Sequence, residues 1–214
     1  MKLYGYWRSS CSWRVRIAMA YKNLNWTEVP VHLVRNGGEQ HDFEHWQRNP
    51  MAQVPVLALD DGSSITQSLA ILEYLEERFP RPSLLPTSVN ARARSRELAQ
   101  VINSGIQPLQ NLSLLKHLKT GWGIEPRAWA RQFIETGLDA LEEMVRKDSG
   151  HFLVGDLPSL ADVCLIPQLY NARRFGCDMS RWHRLTEVER AAFDLACFEL
   201  TRPERQSDAR ASAA

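Results

Sequence analysis

Apolar positions change period several times over the first 80 residues and then settle into helical spacing. Residues 3–6 form a short β-prone run. Over residues 13–22, Trp13, Ile17, Ala20 and Tyr21 recur at helical spacing. Over residues 26–33, Thr27, Val29, Val31 and Leu33 alternate as in a strand. Strand, helix, strand in that order predicts a right-handed crossover between parallel neighbours. Gly37 and Gly38 open a polar segment that runs to Asn49-Pro50. Residues 53–59 then read as a strand entered through Val54-Pro55, and Asp60-Asp61-Gly62 predicts a hairpin into residues 64–66. Gln67-Ser68 opens a helix with Leu69, Leu72, Leu75 and Phe79 on its apolar stripe.

Pro80, Pro82 and Pro86 punctuate a linker. They predict a mixed α/β domain over residues 1–82 and an all-helical domain over residues 83–214. Within the second, residues 89–119 predict a long helix interrupted near Gly105 and Pro108, and residues 127–147 predict another. Ser159-Leu160-Ala161-Asp162 has the form of a capping box opening a helix to about residue 174. A last helix is expected over residues 187–200. The polar, Ala/Ser-rich tail over residues 202–214 is expected to fray. A small α/β domain followed by a larger all-α one specifies no function by itself.

Composition narrows the class. The 214 residues carry 26 Lys+Arg against 25 Asp+Glu, a balance that argues against a dedicated nucleic-acid binder. With 44% hydrophobic residues the chain can bury a full core. Apolar runs such as residues 54–59 are too short to span a bilayer. Four cysteines, at 11, 164, 177 and 197, form no CxxC pair. This argues against a zinc finger or a disulfide framework and fits a reducing compartment, so a cytoplasmic location is expected.

The most informative stretch is Arg8-Ser9-Ser10-Cys11-Ser12-Trp13-Arg14, between the first strand and the first helix. Helix N-termini carry unpaired N–H groups and the positive end of the macrodipole, so a ligand thiolate is favoured there. The alternative for the serines is plain helix capping. Gln67-Ser68 opens a helix directly after a strand and could hold a carboxylate in the same way, again with plain capping as the alternative. A cis bond at Val54-Pro55 would turn the Val54 backbone outward to pair with a peptide-like ligand. Residues 105–111 are polar on one side, consistent with either a ligand contact or a solvent-facing kink. Trp122 and Trp129 read as packing residues.

Taken together, residues 9–18, Asn49-Pro50-Met51, Gln53-Val54-Pro55, residues 67–71, residues 105–113 and Val154-Gly155-Asp156 resemble the zeta-class glutathione transferases, from residue 2 to about residue 208. Within the class, the resemblance is to the branch that isomerises maleylacetoacetate in tyrosine and phenylalanine breakdown. The resemblance implies a thioredoxin-like βαβ-α-ββα domain, an all-α C-terminal domain, a homodimer and cis geometry at Pro55. It implies glutathione as cofactor, bound by Ser9, Ser10, Cys11, Ser12, Trp13, Arg14, Gln40, Val54, Gln67 and Ser68. Gln107, Asn111, Leu112 and Ser113 would help close the site. Ser9 would lead in donating to the thiolate, with Ser10 and Cys11 assisting. Arg8, Arg14 and Arg174 are the candidates for the carboxylates of a keto diacid substrate, whereas Arg173 reads as surface charge. No metal, membrane or nucleic-acid partner is expected.

Three rivals remain open on the sequence. Maleylpyruvate, a shorter substrate, would use the same mechanism. A monothiol transferase would work through Cys11. A third reading is a non-enzymatic glutathione-binding module.

Overall fold

Short runs of β-branched and aromatic residues in the first 70 positions pair into one sheet. In the computed structural model, which describes residues 1–148 and 150–210, the strands are β1 (Lys2–Gly5), β2 (Thr27–Pro30), β3 (Val56–Ala58) and β4 (Ser64–Thr66). Their order is β2-β1-β3-β4, with β1 parallel to β2 and antiparallel to β3, and β3 antiparallel to β4. Successive residues of a strand point to opposite faces. Val56 and Leu57 are both fully buried, so the sheet is covered on both sides at β3. The edge strands β2 and β4 are the more exposed ones.

Helix α1 (Ser10–Tyr21) connects β1 to β2, α2 (Phe43–Arg48) lies in the segment before β3, and α3 (Ser68–Arg78) follows β4. The last residue of α1 leads into a buried cation. Lys22 Nζ sits 2.6 Å from Glu76 Oε1 on α3. It also donates to the carbonyls of Phe79 (2.7 Å) and Pro82 (2.8 Å), so all three of its protons are placed. Ser83 Oγ donates to the other Glu76 oxygen.

The remaining helices are α4 (Val89–Gln100), α5 (Leu112–Trp122), α6 (Pro126–Val145), α7 (Leu160–Phe175), α8 (His183–Phe193), α9 (Ala196–Glu199) and α10 (Ser207–Arg210). The break expected near Gly105 and Pro108 is present. A π turn over Val101–Ile106 and a 3-10 turn over Gln107–Gln110 separate α4 from α5. Helix α7 forms the core of this part and is buried on nearly every side. Its start is the expected capping box: Ser159 N–H and Oγ both donate to Asp162 Oδ2 (2.8 Å each), and Leu153 N–H donates to Oδ1 (2.9 Å). Full burial nevertheless pushes the Asp162 carboxyl up to about 6, these hydrogen bonds acting in the other direction. Gly176, in the left-handed region at φ +79°, ends α7 with a Cys177 N–H bond back to the Ala172 carbonyl. Glu142 on α6 accepts from the Arg184 and Leu185 N–H groups and so caps the start of α8.

The described chain divides into two units, Leu84–Asp194 and Met1–Ser83 together with the chain from Leu195 onward. This differs from the contiguous division expected at residue 83. The expected helix over residues 187–200 breaks at Asp194-Leu195, where Leu195 is extended. From there the chain packs in the first unit: Phe198 is fully buried, and Thr201 Oγ1 accepts from Trp13 Nε1 at 3.0 Å. Fraying of the tail is also corrected for residues 202–210. A 3-10 turn (Pro203–Arg205) and α10 follow one another there, and Asp208 Oδ2 accepts from the Trp7 N–H at 2.9 Å. Residues 211–214 of the expected frayed tail lie outside the described residues. Trp129 packs on Phe133 as expected, but Trp122 is 70% exposed and packs no core.

Candidate active site at one end of the sheet

Strand register gathers the predicted residues. Tyr4 pairs with Val56, and Val56 pairs with Thr66. The end of β1, the start of β3 and the end of β4 therefore lie side by side. The turn into α1, the Val54-Pro55 entry to β3 and the Gln67-Ser68 entry to α3 all open at that end. Gly5 pairs with Pro30, so the segment carrying Gln40 leaves from the same end.

Helix α1 starts three residues before the expected point, so Ser10, Cys11 and Ser12 form its first turn and Ser9 is its N-cap. Ser9 Oγ accepts from the Ser12 N–H (3.2 Å), and the Ser9 carbonyl accepts from Trp13 N–H (2.9 Å). That leaves the Ser10 and Cys11 N–H groups at the open end of the helix. A hydroxyl has one proton and two lone pairs, so Ser9 can cap the helix and still donate to an anion beyond it. Cys11 is half-buried, and Ser10 is 8% exposed.

The turn before Ser9 is held tightly. Ser9 N–H closes it onto the Tyr6 carbonyl at 3.0 Å. Arg16, 1% exposed, donates to the Tyr6 carbonyl (3.5 Å) and the Trp7 carbonyl (2.8 Å) and meets Glu28 at 3.4 Å. Burial dominates this pair, lowering the Arg16 pKa and raising that of Glu28.

Three residues of the expected ligand set turn inward instead. Trp13 is 1% exposed with its indole N–H on Thr201. Ser12 is fully buried, and its Oγ accepts from the Tyr6 N–H at 3.3 Å. Arg14 is fully buried and donates to Ser68 Oγ at 3.2 Å, which removes it from the candidates for a substrate carboxylate. Its role is to tie the start of α3 to α1. Arg8 is half-buried, with its guanidinium 5.0 Å from the Trp7 ring centre.

The start of α3 has no side-chain cap, which leaves its first N–H groups for a ligand. Gln67 is exposed and held at φ +68°, ψ 114°, a conformation that costs about 1–3 kcal/mol and is typical of residues fixed for function. The Val54-Pro55 bond is cis, and Val54, half-buried, lies just outside the β1–β3 ladder. Gln40 is 8% exposed; its Nε2 reaches the Leu33 carbonyl at 3.5 Å, and its buried Oε1 has no hydrogen-bond partner among the described residues. Gly38 makes room for it: at φ +108°, a Cβ there would come within 2.4 Å of the Gln40 amide. An orphaned acceptor, two open helix N-termini and an unladdered backbone at one sheet end suit an extended peptide with a carboxylate and a thiolate.

In the second unit, Gln107 is half-buried in its 3-10 turn, and Asn111 caps α5 by accepting from the Ser113 N–H at 3.0 Å and Oγ at 2.8 Å. Leu112 is 49% exposed. Arg174 is exposed and donates to Asn171 Oδ1 at 2.9 Å. Arg173, expected as surface charge, is exposed and forms a two-pronged pair with the buried Glu189.

Residues 3–83 match the glutathione S-transferase N-terminal domain, and residues 110–185 match the C-terminal domain. Over 207 residues the chain is 47% identical to the maleylacetoacetate isomerase of Mus musculus, covering 96% of this chain and 94% of the mouse protein. It belongs to the glutathione S-transferase family. Among solved structures, this glutathione S-transferase is similar to the maleylacetoacetate isomerase of Anaeromyxobacter dehalogenans with glutathione bound in its active site. That pair shares 49% identity at a TM-score of 0.88, covering 97% of each chain. It is also similar to a bacterial zeta-class maleylpyruvate isomerase, with 36% identity, a TM-score of 0.93 and coverage of 97% and 99%. No described helix is long and apolar enough to cross a membrane.

Proposed function

We propose that this glutathione S-transferase is a glutathione-dependent cis–trans isomerase that converts maleylacetoacetate to fumarylacetoacetate. The observation that carries this reading is the junction of the Ser9-capped start of α1, the Val54 backbone and the uncapped start of α3 at one sheet end. Bound glutathione supplies a thiolate whose reversible addition turns the cis double bond into a single bond free to rotate. Ser9 Oγ–H donates to that sulfur, and the Ser10 and Cys11 N–H groups supply positive potential around it. One oriented donor of this kind is worth about 3–4 kcal/mol at a developing anion. Gln67 and Ser68 hold the γ-glutamyl carboxylate at the start of α3. Val54 pairs with the peptide backbone, and Gln40 takes the glycyl side. Arg8, in the same unit, is the cation proposed for a substrate carboxylate, while Arg174, Gln107 and residues 111–113 of the second unit stand as candidates on the family resemblance alone. The reading includes a cytoplasmic homodimer.

Maleylpyruvate is the second substrate to weigh, because the structural likeness to a maleylpyruvate isomerase is as strong as any quoted above. The test follows glutathione-dependent isomerisation by absorbance with maleylacetone and maleylpyruvate in parallel. Faster turnover of maleylacetone is expected. Turnover of maleylpyruvate alone would move the assignment to the shorter substrate, and no turnover of either would refute the isomerase reading.

A further inference from the structure

The peptide unit between Tyr6 and Trp7 is clamped at both ends. Its carbonyl accepts from the Ser9 N–H and from Arg16, and its N–H donates to Asp208 Oδ2 at 2.9 Å. The neighbouring groups are also committed, Tyr6 N–H to Ser12 Oγ and the Trp7 carbonyl to Arg16 Nη2. Every partner but one comes from α1 or its cap, so those partners move with the helix they position. Asp208 is the exception: it lies 201 residues away in sequence, on α10.

We propose that Asp208 is a positioning residue for the isomerisation, fixing the Tyr6–Trp7 peptide plane and through it the placement of Ser9. The inference rests on the role given to Ser9 above. Without the carboxylate, the Trp7 N–H loses its acceptor, and the peptide plane keeps only partners that shift together with α1. Such a shift would carry the turn and its cap together, and Ser9 would lose the fixed point that aims it.

The experiment compares wild type, Asp208→Ala, Asp208→Asn and Ser9→Ala. It measures kcat, KM for glutathione, the titration of bound glutathione by thiolate absorbance, and thermal unfolding. Asp208→Ala is expected to lower kcat about tenfold, since small misplacements of a catalytic group are costly, with KM for glutathione changed less than about twofold. Its bound thiol should titrate at higher pH. Asp208→Asn, whose side-chain carbonyl can still accept from Trp7, should keep most of the activity. A wild-type thiol titration and kcat in Asp208→Ala, with Ser9→Ala impaired, would overturn the positioning role alone. Equal losses in both Asp208 variants that follow thermal stability, with no shift in thiol titration, would also overturn it. If Ser9→Ala were itself unimpaired, the role of Ser9 would fail first.

Discussion

Ser9 has an observed capping role and a proposed donor role, and substitution can separate the two. Its oxygen accepts from the Ser12 N–H at 3.2 Å, which is capping, and its proton is free to meet a sulfur anion. Ser9→Ala removes both. Loss of a cap costs about 1 kcal/mol, equal to a fall of about 2–4 °C in Tm for a chain of this length. Loss of an oriented donor costs about 10²–10³ in kcat. Ser9→Asp removes only the second, because aspartate caps as well as serine but has no proton to give and brings a repelling charge. The expected pattern is a modest Tm loss with a large kcat loss for Ser9→Ala, and a near wild-type Tm with an equal or larger kcat loss for Ser9→Asp. Thermal unfolding and initial isomerisation rates on the same preparations read the two quantities. Near wild-type kcat in Ser9→Asp, or a fall below about threefold in Ser9→Ala, would show that the hydroxyl is only a cap and refute the donor assignment.

Lys22→Met would strand Glu76, 7% exposed, and two backbone carbonyls, and is expected to cost about 3–5 kcal/mol in urea unfolding. Adding Glu76→Leu should recover most of that loss, and no recovery would show that the cation acts through the carbonyls alone. Asp162 has its carboxyl raised from 3.8 to about 6, so the native state takes up its proton before the unfolded chain does. Its contribution to stability is therefore greatest below pH 4 and declines by roughly 3 kcal/mol as pH rises to 6. In Asp162→Asn that decline is absent, so the stability gap should move towards the variant over this window; parallel profiles for the two proteins would contradict it.

Local signals carried much of the fold. Alternation and a turn at Asp60-Asp61-Gly62 announced the hairpin, and Ser159 with Asp162 announced the start of α7. What escaped was decided by distant partners. Trp13 and Arg14 belong to the motif that marks the site, yet they face inward because Thr201 and Ser68 receive their protons. Neither pairing has a spacing that a linear reading could detect. Arg16 lay inside the motif, but its grip on the Tyr6 and Trp7 carbonyls depends on the turn geometry. The return of residues 195–210 to the first unit was hidden because residues 195–200 read as the end of the last helix and residues 202–210 are polar enough to read as solvent-facing. Their anchoring groups are few: Phe198, Thr201 and Asp208.

The split first unit also sets an order for events on the ribosome. Residues 1–83 emerge first, but the partners of Trp13 and Trp7 are made only after the whole of Leu84–Asp194. At ordinary translation rates this delay is roughly 10 s, ample time for an uninterrupted helical segment to collapse. The nascent glutathione-binding half thus waits with an exposed indole and an unanchored turn until nearly the end of synthesis. Stalled or prematurely terminated chains would carry the serine-cysteine motif without its finished support, and such products should bind glutathione poorly while remaining prone to association through the uncovered Trp13 face.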